Sequence, residues 1–473
     1  MITASSWFRQ STVNQKPWLI LGKGPSFRKL PNVDRDAYHI LALNHVAREL
    51  RCDVALMMDL EVADAIGESL ITNANFVFVP WHPHVRNKPS ELNCEQLLPD
   101  YPELQRLSAE GRLVVFNAQT ARGLDPLPGE PVTDIKFFSA EAALNLLADN
   151  GARTIRTLGI DGGNSYASRF SDLNDETLLV NGQPNFDRQF ERFSATLRKY
   201  PDLNFAPLTA PSPIRIFIGA DPTQVLGAKI FEFSVRQYAS MSVSCEIIDN
   251  EGLPVPKDPR KRARTGFSFC RFKIPELCGY KGRGIYVDAD MQVFTDIKDL
   301  WTRDFGTASV LYSELPPQED GKRIPQFSVM LLNCADLNWE ARELVASLER
   351  EDMDYAKLMF EFAMLPAHKK QALLEFEWNS LEHYEAGKTK LIHYTDMPTQ
   401  PWVSNANKNG HLWYKALREA VASGFVTMQE IEQEIDKGNI SPMLPVWAGL
   451  AKPHDAETRA RVWTPPYKRF INK

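Results

Sequence analysis

Short apolar runs alternate with helical stretches in this chain, stop at a proline-rich segment, and then start again. That repeated alternation is what most restricts the folds open to it. In the first half "WLIL" (18–21), "HILAL" (39–43), "VALMM" (54–58), "FVFVP" (76–80), "LVVFN" (113–117) and "TIRTLGI" (154–160) read as strands. "SAEAALNLLADNG" has helical apolar spacing, with Ser139 as the expected N-cap and Gly151 as the stop, and a further helix is predicted over 186–200. Strands separated by helices imply a largely parallel, doubly wound α/β sheet. "FAPLTAPSPIR" (205–215) reads as a linker, and after it "IRIFIGA", "TQVLGAKIFEFSVRQYA" and "CEIID" open a new strand–helix–strand series. The expected organisation is two α/β domains, 1–205 and 214–473, joined over 206–213, the second ending in a helical tail. A chain of 473 residues is long enough to build both cores.

Composition removes several function classes. A formal net charge of −6, with no RNA- or DNA-reading motif, argues against a nucleic-acid partner. The six cysteines form no C-x-x-C pair and several lie in apolar runs, so reduced core thiols are expected and a zinc site is not. "MITASSWFRQSTVNQKPW" lacks the basic-then-apolar pattern of a signal peptide, and no apolar run approaches the length of a bilayer span. A cytoplasmic location is expected. The basic stretch "KDPRKRAR" (257–264) reads as a solvated loop. The aromatic-basic end "WTPPYKRF" is suited to touching a membrane or a partner, and disorder is the expectation for it. Oligomeric state stays open.

The chemistry-bearing pattern is "GIYVDADMQVF" (284–294). Three Asp-x-Asp triplets occur, Asp34/Asp36, Asp288/Asp290 and Asp352/Asp354, but only the middle one follows a β-like run. On an extended chain residues i and i+2 point the same way, so Asp288 and Asp290 project together. Two such carboxylates repel unless a proton or a cation lies between them, and carboxylate oxygens suit Mg2+, Ca2+ or Mn2+. The other reading is that one acid caps a turn while the second is solvated.

The surroundings, "FSFCRFKIPELCGYKGRGIYVDADMQVF" and "LIHYTDMPTQPW", resemble glycosyltransferase family 8, the glycogenin and galactosyltransferase-like group with a GT-A fold. Arg271 before "IPEL", the strand ending in Asp288–Asp290, and His393 followed by Pro401–Trp402 carry the resemblance, over roughly residues 214–405. It implies a metal-dependent hexosyltransferase, retaining anomeric configuration and using a nucleoside diphosphate sugar, UDP-sugar favoured. Asp288, Asp290 and His393 would hold Mn2+ or Mg2+. Gly219, Ala220 and Asp221 would line the donor pocket, with Arg271 and Gln400 at the donor phosphates or sugar. Gln326, in "QFSVMLLN", and Asp354 would stand at the catalytic positions. This chain departs from the family at Gln400, where Lys is usual, at Gln326-Phe327-Ser328 in place of Asn-Ser-Gly, and at the loose Asp354-Tyr355-Ala356 counterpart of Asp-Gln-Asp. His393 as an ordinary strand-end histidine, and Arg271 as a solvated or salt-bridged residue, remain the plainer readings.

In the first half "LILGKGPSF", "LALNHVA" and "LGIDGGNSYASRF" each end a strand, where open α/β sheets bind ligands. The glycines of Gly22-Lys23-Gly24-Pro25-Ser26 suit either a phosphate approach or a tight turn. The trio resembles the bacterial sialyltransferases of glycosyltransferase family 42 and the pterin-pyrophosphokinase-like (DUF115) proteins, over about 17–170. That resemblance implies a nucleotide site at Gly22, Lys23, Gly24, Ser26, Asn44 and Asp161, with His82 and His84 of "PWHPHVR" as candidates for a catalytic histidine. Both halves are thus expected to be Rossmann-like. Together they suggest a bifunctional transferase for bacterial surface polysaccharide or glycolipid, taking a nucleotide-sugar donor and a glycan or glycolipid acceptor. The alternative is one catalytic domain, the N-terminal one being an acceptor-binding module or a diphosphokinase-like enzyme.

Overall fold

The apolar runs pair as strands. The computed structural model describes residues 1–10, 15–173, 183–314, 327–452 and 456–470. Packing divides these into an N-terminal unit, 1–213 with 240–242, and a C-terminal unit, 214–239 with 243–473.

Among the described residues the N-terminal unit holds one nine-stranded sheet. Its strands are β1 (Ile2–Thr3), β2 (Trp18–Leu21), β3 (His39–Leu43), β4 (Cys52–Leu56), β5 (Ala74–Pro80), β6 (Leu113–Ala118), β7 (Val132–Thr133), β8 (Thr154–Leu158) and β9 (Asn204–Pro207). The order is β1-β6-β5-β4-β3-β2-β8-β9, with β7 beside β6, and every ladder is parallel. Both faces are covered, as the continuous apolar runs require. Trp18 and Ile20 enter one core while Leu19 and Leu21 enter the other. The chain steps one way from β2 to β6 and then crosses to place β8 on the far side of β2. That reversal leaves a crevice at the carboxyl ends of β2 and β8.

Two helices of this unit, α1 (Ser139–Asp149) and α2 (Arg188–Lys199), pack together, and Thr196 Oγ1 donates to Asn145 Oδ1 at 2.6 Å. The N-cap of α1 is Phe138, not Ser139, and it makes no side-chain cap bond. Glu141 substitutes, its Oε2 accepting from the Lys136 and Phe137 amides at 2.8 and 3.2 Å. The start of the expected linker is also different. Residues 204–207 are the edge strand β9, because Phe205 and Ala206 are wholly apolar and find the sheet beside them. Pro207 is tolerated there since an edge strand has an unpaired side for a residue lacking N–H.

The C-terminal unit has a mixed six-stranded sheet of β10 (Ile214–Gly219), β11 (Val243–Ile248), β12 (Arg283–Asp288), β14 (Val310–Ser313), β15 (Val329–Asn333) and β16 (Lys370–Leu374), ordered β11-β10-β12-β15-β14-β16. A small sheet joins β13 (Met291–Val293), β18 (Leu391–His393) and β17 (Ser380–Leu381). Here too the direction reverses at β10, with β11 on one side and β12 on the other. Helices α3 (Val225–Tyr238), α4 (Gly410–Ala422) and α5 (Met428–Asp436) share a core through Ile230, Phe233, Trp413, Leu417 and Ile431. Instead of being disordered, the aromatic end packs on that core through Trp463 and Tyr467, and Trp463 Nε1 donates to Gly438 O at 3.0 Å. All six cysteines are free, and five are buried. No helix among the described residues is long and apolar enough to cross a membrane.

Candidate functional site

β12 delivers Asp288 at its last position, opposite Gly219 of β10. Asp290 follows at the turn into β13, whose Met291 pairs with His393, the last residue of β18. Asp290 O accepts from the Tyr394 amide at 2.8 Å, locking the two strand ends together. One potential ligand atom from each of Asp288, Asp290 and His393 lies within 4.8 Å of the others, and all three residues are buried. His393 Nε2 is 3.0 Å from Asp290 Oδ1 and 4.0 Å from Asp288 Oδ2.

Further contacts fix each group. Tyr286 donates its hydroxyl to Asp288 Oδ1 at 2.7 Å. Arg271 donates to the Tyr286 hydroxyl at 3.2 Å and to Phe327 O at 3.0 Å, and lies 3.6 Å from the same Asp288 oxygen. Gln400 Nε2 donates to Asp290 Oδ2 at 3.0 Å and to Tyr394 O at 3.1 Å. Asp290 Oδ1 is buried without a hydrogen-bond partner. His393 Nδ1 lies 3.0 Å from Asn379 Oδ1. With that oxygen accepting, the neutral ring carries its proton on Nδ1 and turns the Nε2 lone pair to the acids.

Burial pushes the Asp288 carboxyl up, and Arg271 and His393 offset part of that rise. For His393 burial acts downward, but the Asp290 and Asp288 carboxylates outweigh it and raise the imidazole. Enclosed together, the two carboxylates favour positive charge between them. A proton on His393 supplies it, and so would a divalent cation. Two carboxylates and an imidazole are a donor set for Mn2+ or Mg2+, and the orphaned Asp290 oxygen fits the role of ligand.

The other expected residues divide. Arg271 and Gln400 sit in the cluster, but as buried supports of Asp288 and Asp290. Gly219 is needed for space, since a Cβ there would lie 2.4 Å from the Tyr286 hydroxyl oxygen. Ala220 is buried with its amide on Ile248 O at 3.0 Å, and Asp221 Oδ1 closes a local turn by accepting from Thr223 N and Oγ1 at 2.8 and 2.6 Å. Asp354 is the exposed N-cap of a short helix, accepting from the Lys357 amide at 2.7 Å, and belongs to no cluster of metal-type ligands found among the described residues. Gln326 lies outside the described residues. Tyr286 and Asn379 were not expected; the first was readable as the same-face neighbour of Asp288 two residues back, the second carries no local signal.

A cavity of about 1040 Å³ opens at the β2–β8 crevice of the N-terminal unit. Gly22, Lys23, Gly24, Asn44 and Asp161 line it as expected. The glycines, however, serve backbone contact. A Cβ on Gly22 would lie 2.3 Å from Gly159 O, and one on Gly24 2.6 Å from Asp161 Oδ2. Ser26 ties the same loops, accepting from the Gly159 amide at 2.8 Å and donating its own amide to Asp161 Oδ2 at 2.7 Å. Lys23 lies 4.4 Å over the Tyr166 ring, and burial, then Arg48, bring its amine down to about 8. Asn44 holds φ of +50°, donates to Ser139 Oγ at 3.3 Å and leaves its buried Oδ1 without a partner. His45, which also lines the cavity, is held down to about 4 by burial and then Lys23. The two histidine candidates separate. His82 points both ring nitrogens at carbonyls, of Ser90 at 3.1 Å and Asp125 at 2.9 Å, whereas His84 lines the cavity beside Asp59.

No protein-family model matches the chain. It is 25% identical over 229 residues to Protein CDI of Arabidopsis thaliana, a match covering 44% of this chain and 82% of that protein. Among solved structures it is similar to the galactosyltransferase LgtC in complex with donor and acceptor sugar analogs, at 15% identity and a TM-score of 0.31, covering 47% of this chain and 100% of that one. It is also similar to the bifunctional WbbM apo structure, at 13% identity and a TM-score of 0.32, covering 49% of this chain and 56% of that one.

Proposed function

We propose that the C-terminal unit transfers a hexose from a nucleoside diphosphate sugar, with a UDP-sugar favoured, to a glycan acceptor. The observation that carries this is the convergence of the buried Asp288, Asp290 and His393 at a sheet switch point, their potential ligand atoms within 4.8 Å of one another. Asp288, Asp290 and His393 would hold a divalent ion there, which when bound would offset negative charge on a departing diphosphate. The imidazole in the donor set favours Mn2+ over Mg2+. The chain's own residues prepare the place: Tyr286 and Arg271 fix Asp288, Gln400 fixes Asp290, and Asn379 fixes the tautomer of His393. Retention of anomeric configuration, a bacterial surface polysaccharide or glycolipid acceptor, and action in the cytoplasm complete the reading.

The N-terminal unit is read as a second transferase on the same glycan, because its cavity lies at an equivalent switch point and combines Lys23 with Asp59 and Asp161. Joining two successive transferases raises the effective concentration of their shared intermediate. An acceptor-binding module or a diphosphokinase-like enzyme is the competing assignment, and the same cavity would serve either.

The test is nucleotide release from UDP-, GDP- and CMP-sugars with and without Mn2+. Wild type is expected to show Mn2+-dependent turnover of a diphosphate sugar, and Asp290→Ala to lose that metal-dependent turnover at least about 100-fold, the upper end of what losing even an outer-shell partner costs. Absence of Mn2+-dependent turnover in wild type, or its full survival in Asp290→Ala, would sink the assignment.

A further inference from the structure

We propose that Glu382 is a positioning residue for the transfer: it clips the segment 394–409 to the strand of His393 and so holds the Gln400 amide on the Asp290 carboxylate. The inference rests on the metal-dependent reading of the C-terminal unit and deepens it.

Glu382 follows β17 directly, and its amide donates to His393 O at 3.0 Å, one residue beyond the pairing of Leu381 with His393. Three residues upstream, Asn379 meets the His393 ring. One short stretch therefore grips both the backbone and the imidazole of that residue. From this place Glu382 makes three bonds to the chain that follows β18. Its Oε1 accepts from the Asp396 amide at 2.9 Å, its Oε2 from Asn407 Nδ2 at 3.0 Å, and its carbonyl from Asn409 Nδ2 at 2.9 Å. Asn407 and Asn409 are buried, and Asn407 Oδ1 accepts from the Asn409 amide at 2.8 Å, which fixes the way the Asn407 amide points. Asp396 and Asn407 bracket Gln400, whose Nε2 donates to Asp290 Oδ2 at 3.0 Å. Before Gln400 the segment has little else to hold it. Met397 is exposed, and Thr399 returns to Asp396, its amide to the carbonyl at 2.9 Å and its hydroxyl to Oδ2 at 2.7 Å.

The backbone adds an independent sign. Glu382 holds φ of +53°, in the left-handed region that residues with side chains seldom adopt. Such strain persists where the surrounding structure over-determines it, and it gathers at functional sites. A glycine would take the same φ freely and keep both backbone bonds. What glycine lacks is the carboxylate, so the side chain's two contacts are what this position retains at the expense of strain.

The experiment titrates the full chain with Mn2+ by calorimetry, for wild type, Glu382→Gly, Gln400→Ala and the double variant. Glu382→Gly relaxes φ and removes only the carboxylate contacts. Each single variant should bind Mn2+ about 10-fold more weakly, the scale of an outer-shell partner. The double variant should also lose only about 10-fold, because Glu382 acts through Gln400, whereas independent roles would multiply to about 100-fold. A second readout needs no metal: hydrogen exchange at the Val403 and Ser404 amides, which bond Gln400 O at 2.8 and 3.0 Å, should quicken in Glu382→Gly. Near-ultraviolet circular dichroism checks the fold, and Glu382→Gln, which keeps one oxygen for the Asp396 amide, replaces a variant that fails it. Unchanged Mn2+ affinity or unchanged exchange in the Glu382 variant, or a double variant weakened about 100-fold, overturns the proposal and leaves the metal site standing. Absence of Mn2+ binding in wild type would instead overturn the metal assignment, and the proposal would fall with it.

Discussion

Asp290 is gripped at one oxygen by Gln400 and turns the other to the His393 ring, while Asp288 takes its support from Tyr286 and, behind it, Arg271. This asymmetry predicts separable effects. Tyr286→Phe removes one hydroxyl and keeps the ring, so calorimetric titration should show Mn2+ affinity reduced about 10-fold. Urea unfolding should register a loss of about 1 kcal/mol for the same variant. A second prediction concerns Lys23, whose folded amine sits near 8 against an unfolded value of 10.5. The protonated form is the disfavoured one in the fold, so the cost accrues as pH falls from 10.5 to 8 and stays constant below. Lys23→Met should therefore stabilise the protein at pH 7 by about 1–2 kcal/mol, after loss of the contact to Tyr166, and the gain should vanish above pH 10.5. A chain that keeps such a lysine gives up stability for what the cavity does. At this scale the sequence was readable where a residue's role follows from its strand. Asp288 and Asp290 stood out by ending a β-run; Asp354, in the same triplet pattern, turned out to cap a helix. Asn379 comes from a segment whose meeting with His393 no local pattern records.

The strand runs were legible because both faces of each sheet are covered, which leaves nearly uninterrupted apolar stretches between polar loops. Less legible was what the glycines of the first βα turn are for. Gly-x-Gly after a strand suits an anion, yet here the missing side chains admit the β8 turn, where Gly159 holds φ of +73° and a Cβ would stand 2.1 Å from Gly22 O. Gly159→Ala should then destabilise by at least about 2 kcal/mol, from both the strained φ and the backbone clash, as urea unfolding will show. The 205–215 segment misled for a related reason: its prolines say linker, but Phe205 and Ala206 pair with β8 before the prolines dominate.

Each unit closes its own cores around its own switch point, so the chain should melt in two calorimetric steps. Mn2+ at about 100 times its Kd should stabilise only one of them, by about 2.7 kcal/mol. A uniform shift of both, or of neither, would contradict a metal site confined to the C-terminal unit. The paired switch points also bear on how such a chain acquires new chemistry. The sheets hold apolar residues that neighbours on two faces constrain, while cavity-lining groups such as Lys23 and Asn44 lie just beyond strand ends. The departure at Gln400 likewise falls in a connecting segment. Exchange of one sugar for another can proceed there by single substitutions, so lineages sharing these scaffolds would diverge in substrate long before they diverge in architecture.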